Sequence, residues 1–293
     1  MRFLIFYLAS IGVCFHIQAQ GDPTVSLHSK MDSMQVVYGI KQMKDSMGYQ
    51  VFVDSLMTSG NRSTNQRAFD QAIKYLEIGE YAAKYYIGEN SIAHARILYT
   101  FGFSYGRNNT FAKAEPYLER ALKIYENHYG AACEKCAKTL NTLGFVYHFQ
   151  GKYDKVQACL EKSVSIYEKL YGKYQADHIN SFNSLCIFLR ENGQYEKALQ
   201  KFPELLELNE KLFSKRNNNY IAALINFSNL LVDLDQYDKA EALRIEAVQL
   251  SESINGKLNV TYAQALFVMA TFYKSIGQTQ KAENLLLETK EIY

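Results

Sequence analysis

Cys133 and Cys136 are the one closely spaced pair in this sequence whose residue types could do chemistry together. Thiols three residues apart lie on one side of a helix, so a local redox bridge can form between them. A zinc site would need a second pair of Cys or His ligands nearby, and the sequence presents none. Cys159 and Cys186 recur at positions of a repeat, described below, that elsewhere hold core or small residues, which makes them structural. The six histidines, His16, His28, His94, His128, His148 and His178, are scattered. No His-Glu-x-x-His, glycine-rich phosphate loop, nucleophile elbow or paired metal-ligand motif is present. Nothing here supplies catalytic residues, a metal site or a cofactor, which points to binding.

Charge narrows the class of partner. With 32 Lys and Arg against 30 Asp and Glu, the net charge is +2. That balance argues against a grip on nucleic acid or on an anionic membrane, both of which need concentrated cations. Lys215-Arg216, followed by Asn217-Asn218-Asn219, reads as a solvated loop between helices. At the N-terminus, Met1-Arg2 precedes the apolar stretch Phe3 to Ile17 and then Gln18-Ala19-Gln20. This has the form of a signal peptide over residues 1–19, cleaved after Ala19, so the chain is expected to be exported to a periplasm or secreted. The apolar run is shorter than the ~20 residues of a spanning helix, so no membrane contact is expected beyond that leader.

The elements that must position any binding residues are set by a repeat. Six segments, FDQA, FAKA, YDKV, YEKA, YDKA and TQKA, begin at Phe69, Phe111, Tyr153, Tyr195, Tyr237 and Thr279, each 42 residues after the one before. Three residues on stand Ala72, Ala114, Val156, Ala198, Ala240 and Ala282, and seven on stand Leu76, Leu118, Leu160, Phe202, Arg244 and Leu286. The offsets trace an apolar stripe at helical spacing. Arg244 interrupts it and is expected to snorkel at the edge of the stripe. Upstream, Leu98, Leu140, Phe182, Leu224 and Leu266 lead into Phe101, Leu143, Leu185, Phe227 and Met269. The small residues Gly102, Gly144, Cys186, Ser228 and Ala270 come next, and Tyr105, Tyr147, Leu189, Leu231 and Tyr273 complete an i, i+3, i+4, i+7 pattern on another helix.

Each repeat is therefore two helices, and the joint between them is also written in the chain. Two residues before each aromatic start stand Asn109, Gly151, Gly193, Asp235 and Gly277, the types that best tolerate a left-handed backbone at a helix end. The stretch from Leu140 to Ala158, LNTLGFVYHFQGKYDKVQA, resembles the tetratricopeptide repeat in its longer 42-residue form, found in kinesin light chains and many bacterial proteins. ALKIYENHYG (Ala121 to Gly130) and SVSIYEKLYG (Ser163 to Gly172) carry the same likeness, although the His-Pro usual after the second helix is missing. The resemblance implies an all-α, right-handed superhelical solenoid of helix-turn-helix repeats that binds a protein or peptide.

Residues 66–293 then form an array of about six repeats, the last incomplete, and residues 20–65 an irregular helical cap with a helix over Met31 to Met57. The array has no polar helix after its last repeat, which leaves a face for self-association. In related bacterial proteins such arrays often precede a CHAT-type peptidase or a sensor kinase, so a regulatory region of a larger signalling enzyme is the second reading. On the inner face, binding is expected at Tyr99, Phe103, Lys138, Asn141, Phe145, His148, Asn180, Asn183, Ile187, Arg190 and Asn229, with Ile225, Phe267, Thr271 and Lys274 alongside. Asparagine amides can bond both the N–H and the C=O of an extended ligand, and the aromatics add buried area.

Overall fold

The computed structural model describes residues 46–292, and the leader expected over residues 1–19 lies outside them. Among the described residues every regular element is a helix. The chain divides into two units, one ending at Ala131 and the next beginning at Ala132. The first holds α1 (Ser46–Asn65), α2 (Phe69–Ala82, continued by a π-helical turn Ala83–Ile87), α3 (Ile92–Arg107) and α4 (Phe111–Tyr129). The second holds α5 (Glu134–Phe149), α6 (Tyr153–Tyr171), α7 (Ala176–Glu191), α8 (Tyr195–Phe213), α9 (Asn218–Asp233), α10 (Tyr237–Asn255), α11 (Val260–Ser275) and α12 (Thr279–Ile292). Consecutive helices pair as hairpins. Within the second unit the first helices α7, α9 and α11 also pack on the helix before them and on the first helix of the previous hairpin, the stacking order of a solenoid.

What lets the hairpins close is one recurring node. The small residue in the middle of the first helix faces the large residue at offset seven on the second at Gly60–Leu76, Gly102–Leu118, Gly144–Leu160 and Ser228–Arg244. A Cβ added at Gly144 would stand 2.8 Å from Leu160 Cδ2, and one at Gly102 would overlap the Leu118 side chain outright. Both leucines are buried. A fully buried leucine contributes about 2 kcal/mol by transfer alone, so the node is worth more than the helix propensity lost to glycine, about 1 kcal/mol. A buried hydroxyl ties the stack together: Ser163 Oγ donates to the Ala137 carbonyl of α5 at 2.8 Å and shares a hydrogen bond with Ser181 Oγ of α7 at 3.1 Å.

The turns follow the residue types. Asn109, Gly151, Gly193, Asp235 and Gly277 all adopt positive φ, between 56° at Asp235 and 78° at Gly277. Arg67 does the same at 60°, a position where sequence gives no warning because arginine is not a left-handed residue.

Sequence puts an irregular cap over residues 20–65, whereas α1 runs unbroken through the polar stretch Ser59 to Asn65 and packs on α2 as the first helix of a hairpin. Small polar residues are there because the node requires them. Gly60 lies 42 residues before Gly102, and a Cβ on it would stand 2.9 Å from Leu76 Cδ2. Thr64 is buried, donates to the Gly60 carbonyl at 2.9 Å and shares a hydrogen bond with Ser104 Oγ at 2.7 Å. Of the helix expected over Met31 to Met57, the part before residue 46 lies outside the described residues.

At the start of α7, His178 is 1% exposed, its ring stacks on Phe182 at 5.9 Å, and Nδ1 has no hydrogen-bond partner. Burial lowers its pKa from the usual value. The folded state thus holds fewer protons than the unfolded chain, whose histidine titrates at about 6.5. Stability from this site is present above that pH and is lost as pH falls toward the lower folded value. One repeat and two repeats later the position holds Tyr220 and Tyr262, both buried. Accordingly, His178→Tyr is expected to flatten the decline in melting temperature between pH 7 and pH 5, measured by circular dichroism; an unchanged decline would mean that other groups carry it. For the node itself, Gly102→Ala is expected to cost about 1–3 kcal/mol by overpacking. Combining it with Leu118→Ala should cost less than the sum of the two single changes in urea unfolding, because the smaller residue vacates the space that the new methyl needs.

Candidate binding face

The first helices of the second unit, α5, α7, α9 and α11, present a common face whose side chains meet from one repeat to the next. His148 Nε2 on α5 lies 3.4 Å from Glu191 Oε2 on α7. Arg190 turns one nitrogen to Glu191 at 3.2 Å and another to Asp233 of α9 at 3.4 Å. This makes a charged ladder across three hairpins. Beside it, Asn226 of α9 donates through Nδ2 to Asn183 Oδ1 of α7 at 3.2 Å. Pairs this exposed contribute only about 0–1 kcal/mol each, so their main effect is to hold side chains in register along the face.

Other expected residues stand around the ladder. Asn141 is half-buried, and its Oδ1 is buried with no hydrogen-bond partner. Phe145 is 46% exposed and meets Phe149 edge to face at 4.9 Å. Lys138 and Asn180 are exposed, Ile187 half-buried. The alongside positions Phe267, Thr271 and Lys274 are exposed, and Ile225 is half-buried. Tyr99 and Phe103 belong to the first unit, where their rings stack at 6.4 Å. In that unit Arg96 Nη1 reaches Asp54 Oδ1 of the preceding hairpin at 2.6 Å, a link of the same kind.

Arg244 is where structure and sequence disagree. It is not at an edge but 5% exposed, in the node of the hairpin α9–α10. Its Nε donates to Ser228 Oγ at 3.0 Å, Nη1 to the Val268 carbonyl at 2.7 Å and Nη2 to Asn229 Oδ1 at 2.8 Å, with its guanidinium 4.9 Å from the centre of the Phe272 ring. The position facing it, glycine in three earlier repeats, is Ser228 here, so a hydroxyl receives what a methylene could not. Burial pushes the guanidinium down to about 10, which leaves it protonated at neutral pH. Four neutral groups stabilise the charge: a hydroxyl, a carbonyl, an amide and a ring. Asn229 is thereby fixed, its oxygen turned inward.

A sequence model described as "Tetratricopeptide repeat" matches residues 93–169, 177–243 and 221–293. The chain belongs to the tetratricopeptide-repeat family. No curated protein matches it in sequence. Among solved structures, the array is similar to a Podosopora anserina putative kinesin light chain with nearly identical TPR-like repeats, at 18% identity over 69% of this chain and 95% of that one, TM-score 0.60. It is also similar to BtubC (BKLC) from P. vanneervenii, at 17% identity over 82% of this chain and 90% of that one, TM-score 0.59. NprR in complex with its cognate peptide NprX aligns at 14% identity over 89% and 73%, TM-score 0.61. At these identities the likeness is one of fold, and it includes the kinesin-light-chain type of array.

Within the tetratricopeptide array of the second unit, the structure brings Asn183, His148 and Arg190 into contacts that run from repeat to repeat, and Asn229 into contact with Arg244. Sequence reasoning passed over Glu191, Asn226 and Asp233, and set Arg244 at an edge. A signal existed for three of them: His148 to Glu191, Asn183 to Asn226 and Arg190 to Asp233 are each one repeat plus one residue apart. Arg244 itself offers a test of the node. Ser228→Gly with Arg244→Leu restores leucine over glycine and is expected to hold stability within about 1 kcal/mol of the native chain, whereas Arg244→Ala is expected to lose about 3 kcal/mol. Urea unfolding distinguishes the two, and equal losses would show that the guanidinium contacts are irreplaceable.

Proposed function

We propose that this chain is a scaffold that captures an extended peptide, or an extended segment of a protein, along the first-helix face of residues 132–292. The observation that carries this reading is Asn141 Oδ1, an acceptor shielded from water and left without a donor. Leaving a buried acceptor unmade costs about 1–3 kcal/mol, and a turn of the half-buried Asn141 side chain that brings this oxygen to the face would let a peptide N–H recover it. Asn183 supplies a second amide one repeat further on, already oriented by Asn226. Phe145 and Ile187 offer apolar area next to these amides, and Lys138 and Arg190 offer cations, so side chains of either character find a counterpart. NprR, with the same kind of fold, was crystallised with a peptide, which supports the reading without fixing the ligand.

The experiment is a selection of displayed random peptides on the purified chain, followed by fluorescence anisotropy with an enriched peptide. Asn141→Ala combined with Asn183→Ala removes two amides and is expected to weaken binding by about 10–30-fold, roughly 2 kcal/mol. The melting temperature should stay close to that of the native chain. Enrichment of no sequence, or equal affinity for both proteins, would overturn the reading.

A further inference from the structure

Cys133 and Cys136 are joined as a disulfide, with Cα atoms 5.0 Å apart. They occupy two register positions that do other work in the four other repeats whose first helix begins after Ser91, Gln175, Asn217 or Asn259. The residue before the first helix recurs as Ser91, Cys133, Gln175, Asn217 and Asn259, and each side chain accepts a backbone N–H of the first turn. Three residues later come His94, Cys136, His178, Tyr220 and Tyr262, all buried, and all rings except Cys136. Here alone oxygen or amide gives way to sulfur, a weaker acceptor, and a ring to a small thiol. Neither capping nor core filling accounts for both exchanges, whereas sulfur chemistry accounts for the pair.

We propose that Cys133 and Cys136 form a redox-active couple that undergoes thiol–disulfide exchange with a dithiol partner. The two sulfurs are not equivalent. Cys133 is 9% exposed and Cys136 fully buried, so an incoming thiolate reaches Cys133. In the first step that thiolate bonds to Cys133 Sγ, the S–S bond breaks, and Cys136 Sγ leaves with the electron pair and takes a proton from water. The partner's second thiol, as thiolate, then attacks the partner's own sulfur in the mixed disulfide, and Cys133 leaves as a thiolate. Two electrons have passed from the partner dithiol, which is oxidised to its disulfide, to the cysteine pair; the two protons its thiols release to water on ionising are balanced by the one Cys136 takes up and the one Cys133 takes up after it leaves. Cys133 suits the role of leaving group and, in reverse, of nucleophile. Its Sγ accepts the Cys136 N–H at 2.9 Å at the start of the 16-residue helix α5, where backbone donors and the helix dipole favour negative charge. Cys186 is buried and its thiol pushed up to about 12, which keeps it out of the exchange.

The full chain is equilibrated with graded mixtures of dithiothreitol and its cyclic disulfide, quenched in acid, alkylated and analysed by peptide mass spectrometry. The Cys133–Cys136 peptide is expected to titrate as a single two-electron couple. In the reduced native chain, iodoacetamide should label Cys133 about tenfold faster than Cys136 or Cys186. Cys133→Ser keeps an oxygen cap like Ser91 and should retain the helical circular dichroism while abolishing the couple; Cys136→Ala should trap a mixed disulfide at Cys133 with glutathione. Thiols that never join under excess oxidised reagent would overturn the proposal. So would a disulfide that survives millimolar dithiothreitol until denaturant is added, which would mark it as a permanent structural link.

Discussion

The close approach of a small residue on one helix to a leucine on the next is the constraint from which the rest of this structure follows. It fixes the depth at which two helices of a hairpin meet, and with that the offset between them. Gly60 under Leu76, Gly102 under Leu118 and Gly144 under Leu160 are the same contact repeated, and each leaves less room than one methyl group requires. Because interiors are packed as densely as organic crystals, an interaction with so little slack sets geometry as well as energy. Side chains flanking the node can then vary, as they do among Phe, Leu and Met, while the backbone period stays constant.

The fifth repeat shows how far the node can be altered before the hairpin fails. Replacing leucine with arginine in a site that excludes water is ordinarily among the most damaging changes available, since a buried charge must be solvated by the protein itself. Here the change is accompanied by Ser228 on the facing helix, a carbonyl from the following hairpin, the Asn229 amide and the Phe272 ring. The guanidinium thereby links α9, α10 and α11, three helices that a leucine would join only by contact. It also locks an amide on the face proposed to receive the peptide, which connects the core of this repeat to its surface.

A related economy governs that face. Charged and amide side chains pair across neighbouring first helices, at distances from 3.2 to 3.4 Å in the second unit, and are too exposed to add much stability. Their consequence is order: each pair reduces the rotamer freedom that a ligand would otherwise have to suppress on binding. Asn141 stands apart because its buried oxygen is not used in this way. The disulfide at the start of α5 is a separate device, carried by two register positions that elsewhere serve capping and core packing.

Sequence alone determined the helical hairpins, their 42-residue period, the left-handed turns at Asn109 and Gly151, and the recurring small and large positions that form the node, because all of these depend on local backbone preference or on a stripe repeated along one helix. It also placed Asn183, His148 and Arg190 on a shared face. What only the tertiary structure decided were contacts set by the crossing of different helices. Adjacent first helices are offset so that a side chain meets its neighbour one repeat and one residue away, and no single-helix pattern encodes that extra residue. Arg244 looked like an edge residue because its acceptors lie on other helices, and Ser59 to Asn65 fell within an irregular cap because small polar residues in a tight packing site cannot be told from solvated ones by type. Joining Cys133 to Cys136 likewise required the first-turn geometry of α5, since spacing permits a bridge and only the fold brings the two sulfurs together.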